Sequence, residues 1–234
     1  MFNRPERFAW PESDAVALVQ ALRFGLIVSV YEGEPCFSYI PLLVDVEDGR
    51  LVRLRGHFAR SNPHWQALRD QPRATVVFNG PNAYVSSQWY TPECKAAPSW
   101  NFVVVHVGGR VVLHDTPEET WAIVQELIEV NEAALPRQWS VETYDPERRD
   151  RLLPHILGFS IEVDQFEPKF KLNQHYAAGD KLGTAEGLER DIGTDAAREI
   201  ARLMRLSVER DRLAGDAKAA GKDISSYLGG GKAG

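Results

Sequence analysis

The run FVVVHVGGRVVLH, Phe102 to His114, does most to restrict what this chain can fold into. In a strand, successive side chains point to opposite faces, so the run can be split by its period of two. Val103, Val105, Val107, Val111 and Leu113 make one wholly apolar face. Phe102, Val104, His106, Arg110, Val112 and His114 make the other, which is mixed and suits a site or an interface. Gly108-Gly109 predicts a bulge or bend of the kind that curves a sheet into a barrel.

The remaining pattern supplies partners for that strand. LIVSVY from Leu26, CFSYIPLLV from Cys36 and LVRLR from Leu51 are separated by turn-like EGEP and EDGR, with Asp48-Gly49 the stronger hairpin signal. ATVVFN is expected to end at Gly80-Pro81, AYVSSQWY to begin a new strand at Ala83, and GFSIEVDQF to be the last strand. Helical spacing appears at Ala15, Leu18, Val19 and Leu22, over Asn62 to Leu68, at Trp121, Val124, Leu127 and Ile128, and from Asp195 to about Leu213. Short strands in hairpins with helices at the edges predict a mainly β (α+β) small barrel rather than a parallel α/β fold. A barrel domain is expected over residues 1–176, with a helical extension and flexible tail over 177–234. That extension brings little apolar surface, so removing it is expected to leave the barrel folded, and the final GGGKAG is expected to be disordered.

Composition narrows the classes of function. Of 234 residues, 44% are hydrophobic and 26% charged, which suits a globular chain, while a net charge of -6 repels nucleic-acid phosphates and anionic lipid. Any DNA contact needs a local basic patch. Cys36 and Cys94 have no CxxC or zinc spacing, the histidines no HExxH spacing, and Ser86-Ser87 no GxSxG setting. No metal site and no hydrolase triad is expected. The opening MFNRPERFAW lacks the apolar segment of a secretory signal, and no apolar run approaches a membrane span, so the expected location is the cytoplasm.

Two stretches carry the candidate chemistry. In RGHFARSNPHW, a strand end runs into a helix start, and Arg55, His57, Arg60, Ser61 and Asn62 add donors or charge to free backbone N–H groups. It reads either as a phosphate pocket or as a capped loop with solvated arginines. In NGPNAYVSSQWY and APSWNF, the residues Tyr84, Ser86, Ser87, Trp89, Tyr90, Trp100 and Asn101 can hold a flat heterocycle or simply pack a barrel core and rim. His106 and Arg110, about 13 Å apart by strand rise, suit either the two ends of an elongated ligand or an interfacial pair.

The strings YIPLL, GHFARSNPHW, GPNAYVSSQWY, SWNFVVVHVGGR, GFSIEV and KFKLNQH, in that order, closely resemble the PaiB-like FMN-binding family, described as negative transcriptional regulators. The resemblance spans about Phe2 to His175. It implies a split β-barrel related to the pyridoxamine-phosphate-oxidase-like flavoproteins, with FMN bound at the interface of a homodimer. Carried over by position, His57, Ala59 and Asn62 match the phosphate-side loop, and Ser38, Ile40 and Pro41 the strand beside the isoalloxazine ring. Ser86, Ser87, Trp100 and Asn101 match the motif that closes the ring pocket, and Lys171 with Gln174 the late KLSQN segment. The chain departs from the pattern at Asn173 for Ser, His175 for Asn and Tyr39 for a common His.

The family description implies FMN-linked control of gene expression with DNA as a partner. The residues add little to it: there is no helix-turn-helix pattern, and the late helix balances Arg198, Arg202, Arg205, Arg210 and Arg212 with Glu199, Glu209 and Asp211. The alternative is an FMN-dependent oxidoreductase acting on a small molecule, the flavin supplying the redox chemistry.

Overall fold

The computed structural model describes Phe8 and residues 10–220, so the Gly-rich end expected to be disordered lies outside the described residues. Seven strands form one sheet: β1 (Phe24–Tyr31), β2 (Glu34–Pro41), β3 (Leu43–Glu47), β4 (Arg50–Ala59), β5 (Arg73–Val85), β6 (Ser99–His114) and β7 (Ile156–Lys171). Their order is β2-β1-β5-β6-β7-β4-β3. Both predicted hairpins form. Tyr31 pairs with Glu34 and Glu47 with Arg50, and the two residues between each pair, Glu32-Gly33 and Asp48-Gly49, all have positive φ. That is the mirror-image turn whose twist matches two antiparallel strands.

Three local expectations change. CFSYIPLLV is not one strand but β2 and β3, divided at Leu42, whose N–H donates to the Arg23 carbonyl at 2.6 Å. Gly80-Pro81 does not end its strand, because β5 carries both residues through to Val85; a proline fits a strand where the ladder makes no use of its nitrogen. Ser87–Trp89 is a 3-10 turn rather than strand, since the Ser86 hydroxyl accepts from the Gln88 N–H at 3.3 Å and so competes with sheet pairing. On β6 the apolar face holds, with Val103, Val105, Val107 and Val111 all buried. Gly109 serves a close approach there: a Cβ at that position would lie 2.0 Å from the Glu162 carbonyl oxygen.

The helices are α1 (Glu12–Leu22), α2 (His64–Asp70), α3 (Pro117–Glu132), α4 (Pro146–Leu152), α5 (Ala178–Gly187) and α6 (Asp195–Ala219). The chain divides into two compact units. A hairpin unit takes Val16–Phe78 and His106–Phe166. A terminal unit takes the described residues up to Ala15, Asn79–Val105 and those from Glu167 onward.

In the hairpin unit, Ile27, Leu42, Leu54, Phe58, Phe78 and Phe159 are fully buried, the Phe58 and Phe159 rings 4.6 Å apart. Helix α3 adds Ile123 and Leu127 against Leu43. Its Trp121, Val124 and Ile128 line a cavity of about 340 Å³ with Trp139 and Tyr144.

In the terminal unit, a π-helical turn over Leu188–Ile192 joins α5 to α6. Ala185, Leu188, Ile200 and Met204 have no exposed surface, so the stretch after residue 176 brings core, contrary to expectation. Trp10 stacks on Phe170 at 5.0 Å, and Arg210 reaches back to Asp14 at 2.7 Å while lying 4.6 Å over the Trp10 ring. Among the described residues, no helix is long and apolar enough to cross a membrane.

Candidate functional site

The candidates fall into two clusters, one in each unit. In the hairpin unit, alternation along β2 turns Ser38 and Ile40 inward, where both are buried, and leaves Phe37, Tyr39 and Pro41 exposed. Tyr39, one of the departures from the family pattern, stacks on the equally exposed Phe24 at 5.9 Å. Ser38 is tied to the loop after β4: the Asn62 Nδ2 donates to its hydroxyl at 3.0 Å, and the Asn62 Oδ1 accepts from the His64 N–H at 3.0 Å. Asn62 thus braces the start of α2 as well as being a phosphate-loop candidate.

His64, which the sequence reading did not single out, is the centre of this cluster. It is 4% exposed, with Nδ1 2.8 Å from the Ser38 hydroxyl and Nε2 2.9 Å from the Ser29 hydroxyl. A buried histidine with two hydroxyl partners leaves no spacing motif in a sequence, because Ser29 and Ser38 lie on strands whose pairing brings them near.

His57 on β4 is half-buried, and its Nδ1 is buried without a hydrogen-bond partner. Burial pulls the pKa of both His57 and His64 below the ordinary histidine value, keeping the rings neutral. Ala59 is exposed at the end of β4.

Two cations proposed for the phosphate pocket are engaged elsewhere. Arg55 donates to Asp45 at 2.7 Å and to Glu126 at 2.6 Å, and these hydrogen bonds raise its pKa above the ordinary arginine value. Burial alone would raise the Asp45 carboxyl, but hydrogen bonds from Arg55 and Arg53 hold it below its usual range. The Arg60 Nε donates to the Ile156 carbonyl at 3.2 Å. On β6, Arg110 is paired with Glu162 at 2.9 Å.

In the terminal unit, Ser86 caps the 3-10 turn and Ser87 is exposed. Trp100 is exposed and meets Tyr84 edge-on at 6.0 Å. Asn101 is fully buried: its Nδ2 donates to the Met204 sulfur at 3.3 Å and its Oδ1 has no partner. The Lys171 ammonium donates to the Ser99 hydroxyl at 2.5 Å and to the Trp100 carbonyl, while burial and then the Lys169 charge lower its pKa.

Gln174 braces the chain after β7. Its Oε1 accepts from the Leu172 N–H at 2.9 Å and its Nε2 donates to the Phe170 carbonyl. Between them Asn173 sits at φ 58, a left-handed conformation that asparagine adopts more readily than most residues.

The aromatic stretch also has partners that the sequence did not reveal. The Trp89 indole donates to Asp191 at 2.8 Å, and a Cβ at Gly183 would lie 2.3 Å from the Trp89 carbonyl oxygen. The Thr91 N–H and hydroxyl both donate to Asp180 at 2.8 Å. Burial pushes the Tyr90 phenol up to about 12.

Comparison with known proteins identifies this architecture. A solved structure of a conserved hypothetical protein from Mycobacterium tuberculosis shares the fold, with a TM-score of 0.51 at 13% identity over 76% of this chain and 94% of that one. The fold class is the α+β split barrel with flanking helices that the sequence led us to expect. A family model described as "Putative FMN-binding domain" matches residues 1–165. The chain is 31% identical over 188 residues to the Protease synthase and sporulation protein PAI 2 of Bacillus subtilis, spanning 80% of this chain and 87% of the relative. It is also 30% identical over 202 residues to an uncharacterized protein of Emericella nidulans, spanning 72% of this chain and 80% of the relative. This chain therefore belongs to the PaiB-like FMN-binding family, and its cofactor is FMN.

Proposed function

We propose that this FMN-binding protein is a homodimeric, cytoplasmic negative regulator of transcription of the PaiB type. The observation that carries its site is a buried polar atom without a partner, Nδ1 of the half-buried His57. Leaving such an atom unpaired costs about 1–3 kcal/mol, and a bound ligand supplies the missing partner. His57 is one of the residues that the family resemblance assigns to FMN.

In this reading His57, Ala59 and Asn62 stand at the phosphate, with a neutral His57 donating from Nδ1. Ser38, Ile40 and Pro41 lie beside the isoalloxazine ring, and Ser86, Ser87, Trp100, Asn101, Lys171 and Gln174 complete its surroundings. The flavin, when bound, supplies electron-transfer chemistry that these side chains lack. The exposed Phe24, Phe37 and Tyr39 at the β1–β2 edge offer an apolar surface for a second copy to cover. Gene control as the output rests on the family's description as negative transcriptional regulators, and the likeness to PAI 2 over most of its length supports membership in that family.

An FMN-dependent oxidoreductase is the second reading, favoured by one observation. Every arginine named on α6 is held by a carboxylate: Arg198 by Asp195, Arg202 by Glu199, Arg205 by Glu189, Arg210 by Asp14 and Arg212 by Glu209. Those arginines offer DNA phosphates no uncommitted cationic face. Purified flavin-loaded protein mixed with NADH or NADPH in air decides between the two. Bleaching of the flavin with sustained oxygen uptake establishes the oxidoreductase, whereas salt-dependent DNA binding without turnover establishes the regulator.

A further inference from the structure

Helix α3 has two apolar sides with different neighbours. Ile123 and Leu127 pack on Leu43, whereas Trp121, Val124 and Ile128 line the cavity of about 340 Å³. The chain from Trp139 to Ile156 supplies the rest of that cavity, all of it within the hairpin unit. None of the residues assigned to FMN lines it.

Three aromatic rings form one connected wall. Trp121 and Tyr144 lie within 18° of parallel with centroids 6.3 Å apart, and Trp139 meets Tyr144 edge-on at 5.8 Å. Trp139 is 43% and Leu152 48% exposed, so the cavity opens to solvent beside them. A cation is set into this wall: the Arg149 guanidinium lies 5.7 Å over the Trp121 ring. Its Nε and Nη2 donate to Asp150 at 2.8 and 2.7 Å, while Nη1 makes no hydrogen bond among the described residues. The Trp121 indole N–H and the Tyr144 hydroxyl are likewise without a partner among the described residues. The cavity lining itself contains no carboxylate, and Asp150 is 63% exposed, so its solvated ion pair with Arg149 is readily shared with a second anion.

We propose that this cavity binds a small planar aromatic carboxylate, separate from the flavin site. Its rings lie against Trp121, Trp139 and Tyr144, and its carboxylate takes the free Nη1 of Arg149. Ligand cavities run from about 300 to 1,000 Å³, so this one suits a molecule of roughly one or two fused rings. Aromatic faces select a flat apolar body. A guanidinium among them selects an anionic end, through a charge-assisted hydrogen bond.

The test uses 2-naphthoate, 2-naphthalenemethanol and octanoate, each titrated by calorimetry into the full-length protein. Wild type is expected to bind 2-naphthoate saturably, one to one, with a dissociation constant below about 1 mM. The alcohol keeps the rings without the charge and should bind at least about tenfold more weakly, the scale of one hydrogen bond to a charged group. Octanoate keeps the charge without the rings and should be weaker by a similar factor. Arg149→Gln is expected to bind naphthoate and the alcohol within about threefold of each other, and Trp139→Ala to weaken both about tenfold. The three wild-type titrations decide the ligand class even where a variant misfolds. Because Ile156 pairs with Ala59 of the phosphate-side loop, naphthoate is also titrated in saturating FMN, where its binding should persist. No saturable binding of naphthoate, or equal binding of either control probe, overturns the inference. So does an unchanged preference for naphthoate in a folded Arg149→Gln. Loss of naphthoate binding in FMN would make the cavity part of the flavin site and overturn it too.

Discussion

Replacing Asn62 with alanine separates two roles that coincide in one side chain. In the protein it makes two hydrogen bonds, accepting from the His64 N–H and donating to the Ser38 hydroxyl, each at 3.0 Å. At about 0.5–1.5 kcal/mol each, their loss costs roughly 1–3 kcal/mol. For a chain of this size that lowers the melting temperature by roughly 3–10 °C. The second hydrogen on Nδ2 is the one left for the FMN phosphate, and a bond to a charged group is worth about 1.5–3 kcal/mol. Asn62→Ala should therefore also raise the dissociation constant for FMN roughly ten- to a hundredfold relative to riboflavin, which has the same ring and no phosphate. Thermal denaturation of the flavin-free protein reads the first effect, and parallel titrations with the two flavins read the second. An unchanged melting temperature would refute the bracing role. Equal weakening of FMN and riboflavin would remove this loop from the phosphate.

Stability should also fall on the acid side through His57 and His64. Both are depressed below 6.5 by burial, so as pH drops below about 6.5 the unfolded chain takes up protons that the folded one refuses. Denaturant midpoints are expected to be level above that pH and to decline below it, and a midpoint that rises on acidification contradicts the assignment. Gly183→Ala forces a backbone clash with the Trp89 carbonyl and should cost about 1–3 kcal/mol, with FMN affinity falling too because the Ser86–Trp89 turn is displaced; a variant with wild-type melting would show that this contact yields. Truncation after Tyr176 exposes the partners of Leu188, Ile200 and Met204 and should lower the melting temperature on the order of 10 °C or more. A truncated chain that melts like the full one would show the extension to be dispensable.

The parts of the fold legible in the sequence are those decided by local chemistry. Val103, Val105, Val107 and Val111 recur on one face, and Asp48-Gly49 favours its turn, so strand and hairpin could be read directly. The 3-10 turn at Ser87–Trp89 was missed because β-prone Tyr84 and Val85 lead into it, and only the Ser86 hydroxyl ends the ladder. The same holds for the site. His57 and Asn101 were found through strings resembling a family, but their orphaned atoms are visible only once neighbours are placed. His64 was passed over because its partners lie 26 and 35 residues away. The C-terminal stretch looked polar since its small residues, Ala185, Ala197 and Ala201, bury well while adding little to an apolar count.

The bond from Arg210 to Asp14 joins positions 196 residues apart. On the ribosome, Asp14 must wait while the chain grows by another 196 residues before its partner emerges. The hairpin unit has all its residues once Phe166 has left the exit tunnel, but the terminal unit must wait for Met204 and Arg210. Such distant pairing is slow to form, and until it does Trp10 and Asn101 lack their partners on α6 and stand open to chaperones and proteases. Synthesis order thus makes α6 the step that completes the terminal unit, and a message broken before the Met204 codon would yield a product without its closing helix.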